Sequence, residues 1–206
     1  MDAREKVAEA MVARPRRDYL PLRERRHAGR DGPLPIGHGQ TNSQPRTVSA
    51  MLELLGVRPG DRVLDVGAGS GWTTALLAHL TGPSGSVIGV ERVPELRKTG
   101  AVNLDRAGMP WAHLTLAAPG VLGSPSDGPF DRILVSAQAR TLPRVLVDQL
   151  VPGGVMVIPV LRWMHKVTRD RDAGSEGERA AYPAGRLDDA RVEIHGAYRF
   201  VPLIED

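Results

Sequence analysis

The sequence contains no cysteine, only 4% aromatic residues and no long uninterrupted apolar run. Without cysteine the chain can form neither a disulfide framework nor a thiolate metal site. No apolar stretch approaches the roughly 20 residues that a membrane-spanning helix needs, and the charged N-terminus lacks the apolar core of a signal peptide. We therefore expect a soluble, cytoplasmic protein. The six histidines show no ligand spacing, so we predict no metal.

The chain has 206 residues and a formal net charge of +3. This length suffices for one sizeable core but is short for two domains, so we predict a single domain over residues 1–206. The first 30 residues hold nine Lys or Arg against five Asp or Glu, and such an excess could bind nucleic acid. Because acidic residues are interleaved there, we favour a solvated surface and expect neither nucleic acid nor membrane as a partner.

Residues 62–72 combine an apolar, β-branched run with glycine at alternate positions, namely Gly67, Gly69 and Gly71. Residues 73–80 then carry apolar side chains at helical spacing, which indicates a strand, a tight turn and a helix. Glycine lets the backbone bend sharply and approach a ligand, and a helix N-terminus offers unpaired N–H groups. We therefore predict a polar or anionic ligand at this turn. The alternative is an ordinary glycine-rich turn.

The spacing of this motif indicates which ligand it binds. A dinucleotide-binding motif would have glycine where Trp72 stands, and here Asp65 precedes the first glycine by two residues. The pattern resembles the first motif of class I methyltransferases, which bind S-adenosylmethionine (SAM). A second apolar run, 86–90, ends in Glu91, where an acidic residue is expected to accept hydrogen bonds from a ribose diol. The alternative for Glu91 is a solvated acid that opens a helix at Pro94.

Residues 32–45 are too rich in glycine and proline for a helix or a central strand, yet they carry many hydrogen-bonding side chains. We predict a helix over 45–55, with Pro45 in its first turn and Ser43 as its N-cap. The alternative is that Ser43 serves only as this helix cap. A further short helix is predicted over 2–13.

The segment 33–45 resembles the signature of protein-L-isoaspartate O-methyltransferases, usually L-P-I-G-x-G-Q-T-I-S-x-P. Further motifs of that family follow in order at 63–71, 87–96, 129–133, 149–160 and 199–203. The resemblance spans roughly residues 14–204. It implies an α/β fold with a Rossmann-like, doubly wound, mostly parallel seven-stranded sheet and helices on both faces. In the domain, residues 1–45 would form an N-terminal helix and a segment that covers substrate and cofactor, and residues 46–160 would form the SAM-binding core. Residues 161–206 would form C-terminal strands, with a mobile loop near 169–187.

The resemblance implies transfer of the methyl group of SAM to the free carboxyl of L-isoaspartyl residues in damaged proteins, a repair reaction. An ionised carboxylate needs no general base, so the protein must mainly hold it in line with the methyl group. The family's catalytic serine falls on Ser43. The predicted substrate-binding residues are Thr41, Gln138 and Arg140, with a surface role as the alternative for Arg140. The predicted cofactor-binding residues are Gln40, Thr41, Asp65, Gly67, Ala68, Gly69, Ser70, Gly71, Glu91, Arg92 and Gly120.

Several positions depart from the family pattern. Pro119 stands where the usual Gly-Asp-Gly supplies an adenine-binding aspartate, Asn42 replaces the usual isoleucine, and residues 136–140 replace the usual T-A-A-A-P. Because the side chain of Pro119 cannot accept a hydrogen bond from the adenine, we predict that SAM binding is weaker by about 0.5–1.5 kcal/mol. Two alternatives stay open: a relative with a dedicated peptide substrate, as in ribosomal peptide tailoring, and a catalytically weak carboxylate-binding protein. We expect a monomer.

The remaining predictions concern the scaffold. Apolar runs predict strands and polar or Gly/Pro-rich stretches predict turns. Strands are predicted at 133–137, 155–160, 164–168 and 192–201, a helix at 142–150 and a turn at 152–154.

Overall fold

The computed structural model describes residues 2–171, 186–187 and 189–203. Its strands are β1 Leu34–Gly37, β2 Gln40–Asn42, β3 Arg62–Val66, β4 Ser86–Glu91, β5 Ala112–Leu116, β6 Phe130–Val135, β7 Leu150–Val160, β8 Trp163–Arg169, β9 Arg186–Leu187 and β10 Ala190–Ala197. Its α-helices are α1 Ala3–Ala13, α2 Pro45–Leu55, α3 Trp72–Thr81, α4 Pro94–Ala107 and α5 Arg144–Val147, and 3₁₀ turns occupy Arg16–Tyr19, Leu22–His27 and Pro125–Asp127. Within this described part of the chain, none of the helices has the length and apolar character to cross a bilayer.

The main sheet has the order β5-β4-β3-β6-β7-β8-β10-β9. Strands β5, β4, β3, β6 and β7 are parallel, and β8, β10 and β9 extend the sheet with antiparallel pairing. The predicted mostly parallel, seven-stranded sheet is confirmed, and the two-residue β9 is added at its edge. Strand order reverses between β3 and β6. In open α/β sheets, ligands bind at the carboxyl ends of strands beside such a switch point.

Both faces of the sheet are covered because its central strands carry apolar side chains on both sides. Val63 of β3 and Leu134 of β6 pack in a core cluster with residues of α1, α2 and α3. Leu64 of β3 and Ile133 of β6 point the other way, into a cluster that includes Leu146 of α5. Side chains along a strand alternate between faces, so a continuous apolar run gives two cores. The predicted helices on both faces are confirmed.

Ser43 does not cap α2, so that prediction is wrong. The N-cap residue is Gln44, and α2 has no side-chain hydrogen bond at its N-cap within the described structure. Pro45 occupies the first helical turn as predicted. The hydroxyl of Ser43 is therefore not committed to the helix end.

Two further predictions around β7 are wrong. The helix expected over 142–150 is reduced to the four residues of α5, and Leu150 already belongs to β7. The expected turn at 152–154 lies within the same strand. The register between β6 and β7 shifts there, since Phe130 pairs with Leu150 but Arg132 pairs with Val155. The extra residues are accommodated as an irregularity in the ladder instead of ending the strand.

The last strand also ends earlier than predicted, at Ala197 instead of residue 201. The chain leaves β8 after Tyr198, whose N–H donates to the carbonyl of Arg162 at 2.7 Å. It then pairs with the segment after β6: the N–H of Gln138 donates to Val201 O at 2.8 Å and that of Leu203 to Gln138 O at 2.8 Å. This detour brings 201–203 to the carboxyl edge of the sheet. Of the loop expected near 169–187, residues 172–185 lie outside the described residues.

Candidate active site

A cavity of about 320 Å³ opens at the carboxyl ends of the central strands. Its volume lies in the range of about 300–1,000 Å³ that is usual for small-molecule sites. The residues that line it are Ile36, His38, Gln40, Thr41, Asn42, Ser43, Val66, Gly67, Ala68, Gly69, Ser70, Trp72, Thr73, Val90, Glu91, Arg92, Val93, Ala117, Val121, Leu122, Gly123, Ser136, Ala137, Val201, Pro202 and Leu203.

The glycine-rich turn forms the floor of this cavity and leads into α3. Gly71 is the N-cap of α3 with φ 85°, a conformation that glycine adopts without strain. A Cβ at Gly71 would meet the carbonyl oxygen of Gly100 at 3.1 Å. Gly71 therefore does not line the cavity but permits the turn and its close packing against α4. No side chain caps α3 within the described structure, so its first N–H groups are free of side-chain acceptors.

Glu91, at the end of β4, is only 6% exposed and holds the turn together. Its Oε2 accepts a hydrogen bond from the N–H of Gly69 and its Oε1 one from the N–H of Val93, both at 2.8 Å. A carboxylate oxygen has a second lone pair. Because Glu91 also lines the cavity, both oxygens retain capacity to accept from two adjacent ligand hydroxyls.

Asp65 is fully buried beneath the turn and does not line the cavity. Its Oδ2 accepts hydrogen bonds from the hydroxyls of Thr73 at 2.8 Å and Thr74 at 2.7 Å. Its Oδ1 has no hydrogen-bond partner among the described residues. Burial raises the pKa of Asp65 to about 6, opposed by the two threonine hydrogen bonds and assisted by the nearby charge of Glu91. Asp65 thus ties the end of β3 to the first turn of α3.

The Gly/Pro-rich signature folds as a hairpin of β1 and β2, separate from the main sheet. Its turn passes through Gly37, His38 and Gly39, all with positive φ. The strand after the turn places Thr41 against the cavity, and Ser43 follows it there. Both residues also line an open groove of about 830 Å³. They therefore lie where the cavity meets the surface groove.

This groove runs between the hairpin and the chain that leaves β10. Its lining residues are Pro33, Thr41, Ser43, Gln44, Thr47, Ser136, Gln138, Leu161, Arg162, Ala197, Tyr198, Arg199, Phe200 and Val201. Two arginines line the groove, Arg162 and Arg199, and no carboxylate is among its described lining residues. The groove is therefore a positively charged extension of the cavity.

The predicted site residues fall into three groups. Those that line the cavity are Gln40, Thr41, Ser43, Gly67, Ala68, Gly69, Ser70, Glu91 and Arg92. Gln138 lines the groove with Thr41 and Ser43. The others lie elsewhere: Asp65 and Gly71 are beneath the turn, Gly120 lines a separate depression near α5, and Arg140 is exposed.

Several lining residues received no role from the sequence. Ile36, Val121, Leu122 and Ser136 line the cavity, as do residues 201–203. The segment 199–203 stands out in the sequence only as a family motif. Its pairing with Gln138 depends on a long-range contact that local patterns do not predict. Pro119 and Ala118 are exposed and do not line the cavity.

The profile of the protein-L-isoaspartate(D-aspartate) O-methyltransferase family matches residues 1–181. This chain belongs to that family. It is 43% identical over 201 residues to the protein-L-isoaspartate O-methyltransferase of Methanopyrus kandleri, covering 97% of this chain and 83% of the relative. It is 39% identical over 204 residues to that of Pyrococcus horikoshii, covering 97% and 85%.

A solved structure of a protein-L-isoaspartate O-methyltransferase supports the fold assignment. The Plasmodium falciparum structure, a complex with S-adenosyl-L-homocysteine, superimposes with a TM-score of 0.79 at 24% identity and covers 98% of this chain and 91% of that one. At this identity the likeness shows the fold alone. Membership of the isoaspartate methyltransferase family rests on the sequence matches.

Proposed function

We propose that this protein transfers a methyl group from SAM to the free carboxyl of L-isoaspartyl residues in damaged proteins or peptides. The observation that carries the proposal is the position of Thr41 and Ser43. Both residues line the cavity at the switch point and also the groove on the surface. A small cofactor in the cavity and a peptide in the groove would meet at these two hydroxyls.

The residues that line the cavity have the chemistry that SAM binding needs. Glu91 has the remaining lone pairs for a ribose diol, and Ala117, Val121 and Leu122 supply an apolar wall for adenine. We propose that the glycine-rich turn with Ser70 holds the amino acid end of the cofactor. Bound SAM would supply an electrophilic methyl group on a positively charged sulfur for the carboxylate oxygen, with S-adenosylhomocysteine as the leaving group.

The protein's own residues have a positioning task. The isoaspartyl carboxylate is ionised at neutral pH, so no proton has to be removed. We propose that Ser43, with Thr41, donates hydrogen bonds that fix the carboxylate at the mouth of the cavity. Gln138 would hold the adjoining peptide amide, and the arginines of the groove would attract the carboxylate over a longer range. Orientation of two reactants can lower a barrier by about 7–11 kcal/mol, which is why precise placement suffices here.

The test is methyl transfer from radiolabelled SAM to an L-isoaspartyl peptide by the wild type and by Ser43→Ala. Loss of one preorganised donor is expected to lower kcat by about one to three orders of magnitude. Because Gln44 and not Ser43 is the N-cap of α2, the substitution should leave the melting temperature nearly unchanged. Ser49→Ala is a matched control, since Ser49 lies on α2 and its hydroxyl donates to Glu53. A folded Ser43→Ala protein with wild-type kcat would remove Ser43 from the mechanism.

We further propose that the protein acts as a monomer in the cytoplasm, without nucleic acid or membrane as a partner. Sedimentation with and without SAM tests the monomer, and cell fractionation tests the location.

A further inference from the structure

Arg16 is a buried cation whose contacts the proposed reaction does not use. It lies in the 3₁₀ turn after α1 and is 5% exposed. Its Nε donates to Asn42 Oδ1 at 2.7 Å, and its Nη2 donates to the carbonyls of Asn42 and Gly32, both at 2.8 Å. Its Nη1 donates to the carbonyl of Arg30 at 3.1 Å. All four acceptors are neutral oxygens, so the guanidinium is held by geometry and not by a carboxylate.

These contacts clamp the signature hairpin at both ends. Gly32 lies just before β1, and Asn42 is the last residue of β2. The guanidinium carbon also stands 5.7 Å from the ring centroid of Trp72, the first residue of α3, at a distance typical of cation–π contact. One side chain thus joins the strand that carries Thr41 to the helix behind the glycine-rich turn.

Asn42 extends the clamp to the turn itself. Its Nδ2 donates to the hydroxyl of Ser70 at 3.3 Å, and both residues line the cavity. Asn42 therefore uses its acceptor for Arg16 and its donor for Ser70. The isoleucine that is usual at this position in the family could form neither bond, so this connection depends on the departure seen in this chain.

These hydrogen bonds favour a single placement of the β1–β2 hairpin relative to the glycine-rich turn. Burial lowers the pKa of Arg16 to about 10, partly offset by the charge of Asp31, so Arg16 remains protonated at neutral pH. A buried charge is costly unless its hydrogen bonds are satisfied. Displacing the hairpin would leave the cation without several acceptors at once. We therefore expect the hairpin and the glycine-rich turn to move together.

We infer that Arg16 and Asn42 are positioning residues that couple occupation of the cofactor cavity to the placement of Thr41 and Ser43. The inference rests on the proposed function for its ligands. A ligand bound at the glycine-rich turn restricts the motion of Ser70. Through its hydrogen bond to Asn42, and that of Asn42 to Arg16, this also restricts the residues before β1. Empty and occupied cavities then differ in how firmly the carboxylate-binding strand is held.

Hydrogen exchange with S-adenosylhomocysteine as the probe tests this inference without requiring any turnover. Residues 29–34 contact Arg16 through Arg30 and Gly32 but do not line the cavity. In the wild type, saturating S-adenosylhomocysteine should slow amide exchange in 29–34 by about two- to tenfold, the equivalent of one hydrogen bond. In Asn42→Leu this protection should disappear, while protection of the turn at 67–70 is retained.

Two further variants make the test decisive. Ser70→Ala removes the hydrogen bond to Asn42 but keeps the hydrogen bonds that Arg16 donates to the hairpin. It should also abolish the protection of residues 29–34. This variant replaces Asn42→Leu in the test if Asn42→Leu fails to fold. Arg17→Met is the matched control, because Arg17 is the exposed neighbour of Arg16. It should retain full protection. Exchange is compared at equal cavity occupancy, fixed beforehand by titration of each variant.

The outcomes separate this inference from the proposed function. Absence of protection at 29–34 in the wild type, or full protection in a folded Asn42→Leu or Ser70→Ala protein, overturns the coupling. Failure to methylate an isoaspartyl peptide overturns the proposed function and leaves the exchange result standing. If both hold, Asn42→Leu should raise the peptide KM several-fold more than it raises the KM for SAM, a split that a general loss of stability would not produce.

Discussion

Asp65→Asn should change how the stability of this protein depends on pH. Asp65 is fully buried, and its Oδ2 accepts hydrogen bonds from Thr73 and Thr74. Asparagine keeps an oxygen for these two hydroxyls and removes the charge. The variant therefore tests the cost of ionising Asp65 with little change in packing.

The magnitude follows from the pKa of Asp65, which burial raises from 3.8 to about 6. The folded state therefore binds the proton more tightly than the unfolded state between about pH 4 and 6. The stability that the protonated form contributes is present at low pH and is lost as pH rises through about 6. Each pKa unit corresponds to 1.36 kcal/mol, so the roughly two-unit difference amounts to about 3 kcal/mol. Asparagine carries no such loss.

The assay is urea unfolding of wild type and Asp65→Asn at pH 4 and at pH 7.5. The variant should gain about 2–3 kcal/mol in unfolding free energy relative to wild type between these two pH values. Any constant cost of the new amide N–H groups cancels in this comparison. Asp105→Asn is the matched control, because Asp105 is exposed on α4. A relative gain below about 0.5 kcal/mol, or a gain at pH 4 instead, would refute the burial argument.

Three other predictions concern the cofactor and the peptide. Glu91→Ala should weaken SAM binding by about 1–3 kcal/mol, because charge-assisted hydrogen bonds are lost; calorimetric titration measures this, and an unchanged Kd would remove Glu91 from the site. Pro119→Asp should leave the Kd of SAM unchanged, because Pro119 is exposed and does not line the cavity, and a tightening of about two- to tenfold would instead show that residue 119 reaches the adenine. Arg162→Glu with Arg199→Glu should lower kcat/KM several-fold more for a peptide with acidic flanking residues than for one with basic flanking residues, and the difference should shrink at high salt; equal effects on both peptides would exclude the groove as the peptide site.

Much of the core could be predicted because its signals are local. An apolar β-branched run, alternate glycines and helical spacing predict β3, the turn and α3 with bounds within one or two residues of those in the structure. The acidic residue at the end of β4 likewise follows from an apolar run of strand length. Such features depend on residues a few positions apart, so a single sequence contains them.

The errors arose where tertiary contacts override local preference. Residues 152–154 have turn composition, yet β7 continues through them as an irregularity, because Leu150 before them pairs with Phe130 and Val155 after them pairs with Arg132. Ser43 has a good capping side chain, but the backbone places Gln44 at the N-cap of α2. The link from Arg16 through Asn42 to Ser70 joins residues 26 and 28 positions apart. No local pattern predicts such a link.

The most direct test of isoaspartyl methyl transfer is methylation of two synthetic peptides that differ only in containing L-isoaspartate or L-aspartate at one position. Each is incubated with SAM and the wild-type protein, and mass spectrometry follows the gain of one methyl group at the free carboxyl. We expect rapid methylation of the isoaspartyl peptide by the wild type, a loss of about one to three orders of magnitude in Ser43→Ala, and no methylation of the aspartyl peptide. Equal methylation of both peptides, or of neither, would contradict the proposed activity.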